Sequence, residues 1–149
     1  MDADNVRRTG KLLRHRKFLE SQAESNLHGQ LKEARQAQET LAARQGELEV
    51  SSQWKAQSVS GTHVDLTLYQ HALQYEASGD MAVHAATAAM EHAQAAERLA
   101  RAGFLRARNE MRVADARHER LSMQWEEANE RLQSDWAAYA WLASRERGQ

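Results

Sequence analysis

The sequence has no proline and no cysteine, and only four tryptophans, three tyrosines and two phenylalanines among 149 residues. Proline breaks helix interiors and otherwise gathers in loops and turns, so its complete absence predicts a chain with few loops. Without cysteine there can be no disulfide, no thiol chemistry and no Cys-based zinc site, a composition that suits a cytosolic protein. So few aromatics make a thick globular core hard to build. No apolar run approaches the ~18 residues of a membrane-spanning helix. The basic start, MDADNVRRTGKLLRHRKFLE, lacks the apolar stretch of a secretory signal. The charge is also unbiased: 20 basic and 21 acidic residues leave a formal net charge of -1. That balance argues against nonspecific nucleic-acid binding, which needs a cationic surface.

What is present is the vocabulary of long helices: alanine, glutamate, glutamine, arginine and leucine. A mean hydropathy of -0.80 with 42% apolar residues fits narrow apolar seams flanked by wide solvated faces. One domain is expected at this length. From about residue 6 to 57, Leu12, Leu19, Ala23, Leu27, Leu31, Ala34, Leu41 and Leu48 lie near one line on a helix. The spacing drifts between seven and eight residues around Asn26–Leu27, which predicts an imperfect seam. An elbow follows over about 58–79. Ser58–His63 carries its turn formers, Thr62 with Asp65 resembles a capping box, and a short helix is expected from His63 to Ala77. Ser78-Gly79-Asp80 is expected to stop that helix and cap the next. A second long helix is expected over about 80–146, alanine-rich at first. Leu99, Val113, Leu121, Trp125, Ala128, Leu132, Trp136, Tyr139 and Leu142 then step along one side. The fold expected is all-α: a long antiparallel two-helix coiled-coil hairpin with a short helix in the connecting elbow, the second helix overhanging the first.

Sequence signals for chemistry are weak. His63 and His71, and likewise His84 and His92, are two helical turns apart, too far to share one ion without help. Asp115 and His118 make a D-x-x-H step, but helical di-iron sites need a repeated E-x-x-H and facing glutamates. The chain has no H-E-x-x-H, no phosphate-binding loop and no G-x-S-x-G. An enzyme also needs a concave pocket that excludes water, which a two-helix hairpin lacks. The reading is a non-enzyme with no cofactor and no metal. Two features suit contacts instead. Arg7, Arg8, Lys11, Arg14, Arg16 and Lys17 form a dense basic cluster, and Trp125, Trp136, Tyr139 and Trp141 concentrate near the C-terminus, where an exposed tryptophan can anchor a partner.

The order of elements resembles one known family. A long helix with widely spaced leucines, an interruption near one third of the chain, a short helix with the step Tyr69-Gln70, and a long charged C-terminal helix are similar to the central stalk proteins of type III secretion. These are the FliJ-like flagellar proteins and their injectisome counterparts of the YscO/SctO class. The resemblance spans about residues 10–145 and rests on architecture, with Ser60-Gly61 through Leu73 its most sequence-like part. It implies a cytoplasmic stalk, peripheral to the inner-membrane export apparatus. One tip would enter the hexameric type III secretion ATPase, and the coiled coil would reach the export-gate membrane protein, with secretion chaperones as further partners. By analogy, Arg7, Arg8, Lys11, Arg14, Arg145 and Arg147 would face the ATPase, and Leu48, Trp54, Tyr69, Gln70 and Leu73 the gate. The sequence departs from flagellar members that carry tyrosines late in the first helix, since Trp54 is the only aromatic there. A generic coiled-coil adaptor or chaperone-binding scaffold is the alternative.

Overall fold

The computed structural model describes residues 3–61 and 63–148. Two helices, α1 (Ala3–Val59) and α2 (Leu66–Arg147), pack against each other as an all-α hairpin, with no strand among the described residues. The chain divides into two compact units. Unit 1 comprises Met1–Ala23 with Phe104–Gln149, and unit 2 is Glu24–Gly103.

Unit 2 contains the reversal of the chain. At the end of α1 the hydroxyls of Ser58 and Ser60 donate to the carbonyls of Lys55 and Gln57, at 2.7 and 3.0 Å. Gly61 then adopts φ +109°, a conformation that L side chains rarely enter and glycine enters freely. The amide of Asp65 donates to the carbonyl of Ser58 at 3.1 Å, tying the start of α2 to the end of α1. Asp65 caps α2: its Oδ1 accepts the amide of Leu68 at 3.0 Å and its carbonyl accepts the amide of Tyr69 at 2.9 Å. Thr62, the other half of the expected capping box, lies outside the described residues. Asp65→Ala is expected to cost about 1 kcal/mol, and Asp65→Asn close to nothing, because asparagine caps as well. Urea denaturation of the two variants checks this.

The separate elbow helix does not form. α2 runs without a break through Ser78-Gly79-Asp80, so the expected stop is corrected to helix interior. A helical glycine costs only about 1 kcal/mol of propensity, too little to end a helix that has a packed face. Gly79 is there for proximity: a Cβ on it would sit 3.0 Å from Leu48 Cδ1 and 3.8 Å from Leu48 Cα.

The helices of unit 2 are antiparallel, with Leu48 against Gly79 and Lys55 Nζ 3.3 Å from Glu76 Oε2. That carboxylate oxygen is buried, and its contact with Lys55 is an ion pair, not a well-directed hydrogen bond. Among the buried and half-buried positions of α2 in this unit two lines recur, each stepping by seven residues. Ala72, Gly79, Ala86, Ala93 and Ala100 make a line of small residues, and Tyr69, Glu76, Val83, Met90 and Glu97 make a line of larger ones. α1 answers with Leu27, Ala34, Leu41 and Leu48, and with Gln30, Ala37, Ser51 and Ser58.

Unit 1 is also antiparallel. Thr9 Oγ1 lies 3.0 Å from His118 Nδ1, and Arg16 Nη1 donates to Glu110 Oε2 at 2.6 Å. Val6 and Leu13 pack with Thr9 on α1, facing Met111, Ala114, His118, Leu121 and Trp125 of α2. Small residues again permit closeness: a Cβ on Gly10 would meet His118 Cε1 at 3.3 Å.

Three seam expectations need correction. The seam of α1 steps strictly by sevens from Val6, with no drift near Asn26. It passes through Leu13, while Leu12 faces solvent. Leu99 and Val113 are 76% and 70% exposed, because the seam runs through their neighbours Ala100 and Ala114. Trp136 is 73% exposed and belongs to no seam of the described chain. The core is therefore thin. Among the described residues no large side chain is fully buried, and the most buried apolar residues are Leu13 and five alanines. The accessible surface of 11622 Å² compares with roughly 7,700 Å² for a compact monomer of this mass.

Candidate partner-binding surfaces

In unit 2 a shallow open groove of about 390 Å³ lies beside the seam. Val50, Ser51 and Trp54 of α1 form one wall, and Tyr75, Ser78, Gly79 and Ala82 of α2 the other. It exists because small residues on α2 leave space between larger neighbours. Trp54 and Tyr75 meet edge to face, ring centroids 5.7 Å apart at 82°, and both stay partly exposed. Arg44 and Glu47 sit at the rim, paired to each other at 3.1 Å. Of the expected gate-side residues, Trp54 lines this groove. Leu48 is occupied in the seam against Gly79, Tyr69 is half-buried on the seam line, and Gln70 and Leu73 are exposed. The groove residue that periodicity missed is Val50. It is off the seam line, and its one available signal was its position a turn before Trp54.

In unit 1 the basic residues do not gather at one place. Arg7, Arg8, Lys11 and Arg14 are exposed near the start of α1, where Arg8 pairs with Asp4 at 4.0 Å. Trp125 stands beside Ala3, Val6 and Arg7. Arg145 and Arg147 follow Trp125 by roughly six helical turns, on the order of 30 Å. They occupy the last turn of α2, where positive charge complements the helix dipole, and the Arg145 guanidinium lies 5.3 Å from the Trp141 ring. The six arginines and lysines assigned to the ATPase side thus form two separate groups.

Between them α2 runs bare. Every described residue from Glu130 onward is exposed, including Leu132 at 58%, Trp136 at 73% and Tyr139 at 71%. Leu132, Asp135, Trp136 and Tyr139 line one side of this stretch. They continue the line of Leu121 and Trp125 beyond the point where α1 begins. Comparison with family models, with curated proteins and with solved structures returns no match.

Of the histidine readings, His118 is accounted for by Thr9 and Gly10, and Asp115 beside it faces solvent. Among the described residues no group of three or more His, Cys, Asp or Glu side chains is placed to hold a metal ion. No described helix is long and apolar enough to cross a membrane.

Proposed function

We propose that this chain is a non-catalytic coupling protein, the stalk of a type III export ATPase at the inner-membrane export apparatus. The observation that carries this reading is the bare run of α2 in unit 1, which presents large apolar side chains and two terminal arginines to whatever approaches. Maintaining Leu132, Trp136 and Tyr139 in water is unfavourable, and exposed aromatics of this kind serve as anchors in protein interfaces. The family resemblance supplies the partners. The terminal region would enter the hexameric ATPase, the groove around Trp54 would face the export gate, and chaperones would be exchanged along the helices.

The test is co-purification with the export ATPase and its hydrolysis rate with and without the chain. Binding and stimulation are expected. Reversing Arg7, Arg8, Lys11 and Arg14 to glutamate should weaken binding by about tenfold or more at low salt, since steering by charge acts mainly on association. An unchanged affinity would remove those four residues from the contact. The groove around Trp54 and Tyr75 favours a second reading, a coiled-coil adaptor or chaperone-binding scaffold. On that reading the ATPase rate is indifferent to the chain, and Trp54→Ala abolishes capture of another partner.

A further inference from the structure

We propose that the bare run of α2 in unit 1 pairs with the same run of a second copy of this chain, antiparallel and about a two-fold axis. This inference stands apart from the export partners, with which a second copy on this run would compete. Leu132, Trp136, Tyr139 and Ala143 follow one another at steps of four, three and four residues, the spacing of a helix–helix seam. The stripe continues the line on which Leu121 and Trp125 already pack, and no described residue covers it. Asn129, half-buried next to exposed Ala128, marks the side to which the line leans.

Symmetry decides the direction. In an antiparallel pair, Trp136 of one copy stacks on Tyr139 of the other and Leu132 covers Ala143, each contact made twice. The charges agree. The stretch begins net acidic, with Glu126, Glu127 and Glu130 against Arg131, and ends net basic, with Arg145 and Arg147 on either side of Glu146. Antiparallel pairing sets each acidic start against a basic end and brings Glu126 level with Arg147. Parallel pairing would place acid on acid and base on base. Neither Glu126 nor Arg147 has an ion-pair partner among the described residues. With aromatic side chains burying about 150–250 Å² each, two such stripes remove on the order of 1,000 Å². That is the lower edge of a specific interface, so the dimer is a weak one.

Sedimentation equilibrium of the full chain over ~1–100 µM is therefore expected to show a monomer passing to a dimer. The double variant Trp136→Glu/Tyr139→Glu should stay monomeric throughout with an unchanged helical circular dichroism spectrum, because both side chains are exposed. Arg147→Glu should weaken the dimer, and Arg147→Glu with Glu126→Arg should restore it. The absence of native cysteine allows a test of direction. Chains carrying Gln133→Cys should form a disulfide with chains carrying Ala140→Cys, and not with one another. A monomer at every concentration, a dimer indifferent to the glutamate pair, or a Gln133→Cys homodimer would each overturn the proposal.

Discussion

Leucine at both Ala86 and Ala100 is expected to lower the stability of the chain by about 2–6 kcal/mol, although it adds apolar surface to an apolar seam. The reason lies in what those alanines do. They belong to the line of small residues on the seam face of α2 in unit 2, and both are 7% exposed. A coiled coil whose core positions are leucine holds its axes apart by the length of that side chain. Here the small line brings the helices close, and at Gly79 even a Cβ would sit 3.0 Å from Leu48 Cδ1. Extra methylenes must be accommodated by off-rotamer side chains or by separating the helices, at about 1–3 kcal/mol per site. Ala86 and Ala100 are four turns apart and share no neighbour, so the two costs should add. Thermal unfolding should shift down by roughly 5–20 °C. Ala89→Leu, on the exposed side of the same helix, is the control and should change stability by no more than about 0.5 kcal/mol. A double variant as stable as the parent would mean that the seam is loosely spaced.

The opposite effect is expected at three glycines. Gly29, Gly46 and Gly103 lie inside helices without the positive φ of Gly61, and a Cβ on any of them would meet nothing within 4 Å. Each therefore carries the conformational cost of helical glycine with no packing return. Alanine at all three should gain about 2–3 kcal/mol, seen as a rise of roughly 5–10 °C in Tm. Gly79→Ala should not share in this, because its new methyl must displace Leu48. If Gly79→Ala stabilised as much as Gly103→Ala, the close approach at that point would be refuted.

Much of the fold was legible from absences. With no proline and turn formers at Ser58–His63, two long helices and a reversal between them were legible, and Gly61 lies at that reversal. The seam was less legible because attention to large apolar residues picks the wrong line. Leu12, Leu99 and Val113 stand out in the sequence, yet in each case the neighbour on one side, Leu13, Ala100 or Ala114, is the one that packs. Spacing by alanine every seventh residue is visible once small size is taken as the signal. Gly79 misled for the same reason, since a glycine beside serine and aspartate reads as a terminator unless a partner helix is known to press on it. Trp136 misled differently. The apolar line of α2 carries on unchanged past the start of α1, so nothing within α2 reveals where its partner ends. The Trp54–Tyr75 contact joins two helices across the turn, and no pattern within either helix could have paired them.

One consequence follows from the seven-residue line of small residues in unit 2. Slide α2 along α1 by one repeat and alanine falls where alanine was, so the line says almost nothing about its own register. The large side chains that would act as teeth are few. Alignment must then be fixed by features that do not repeat: the short connection held by Asp65 on Ser58, the pairing of Lys55 with Glu76, and the notch that Gly79 cuts for Leu48. All of these lie within a few turns of the reversal. Alignment is thus set at that end of unit 2 and carried outward by helices that would otherwise be free to slip.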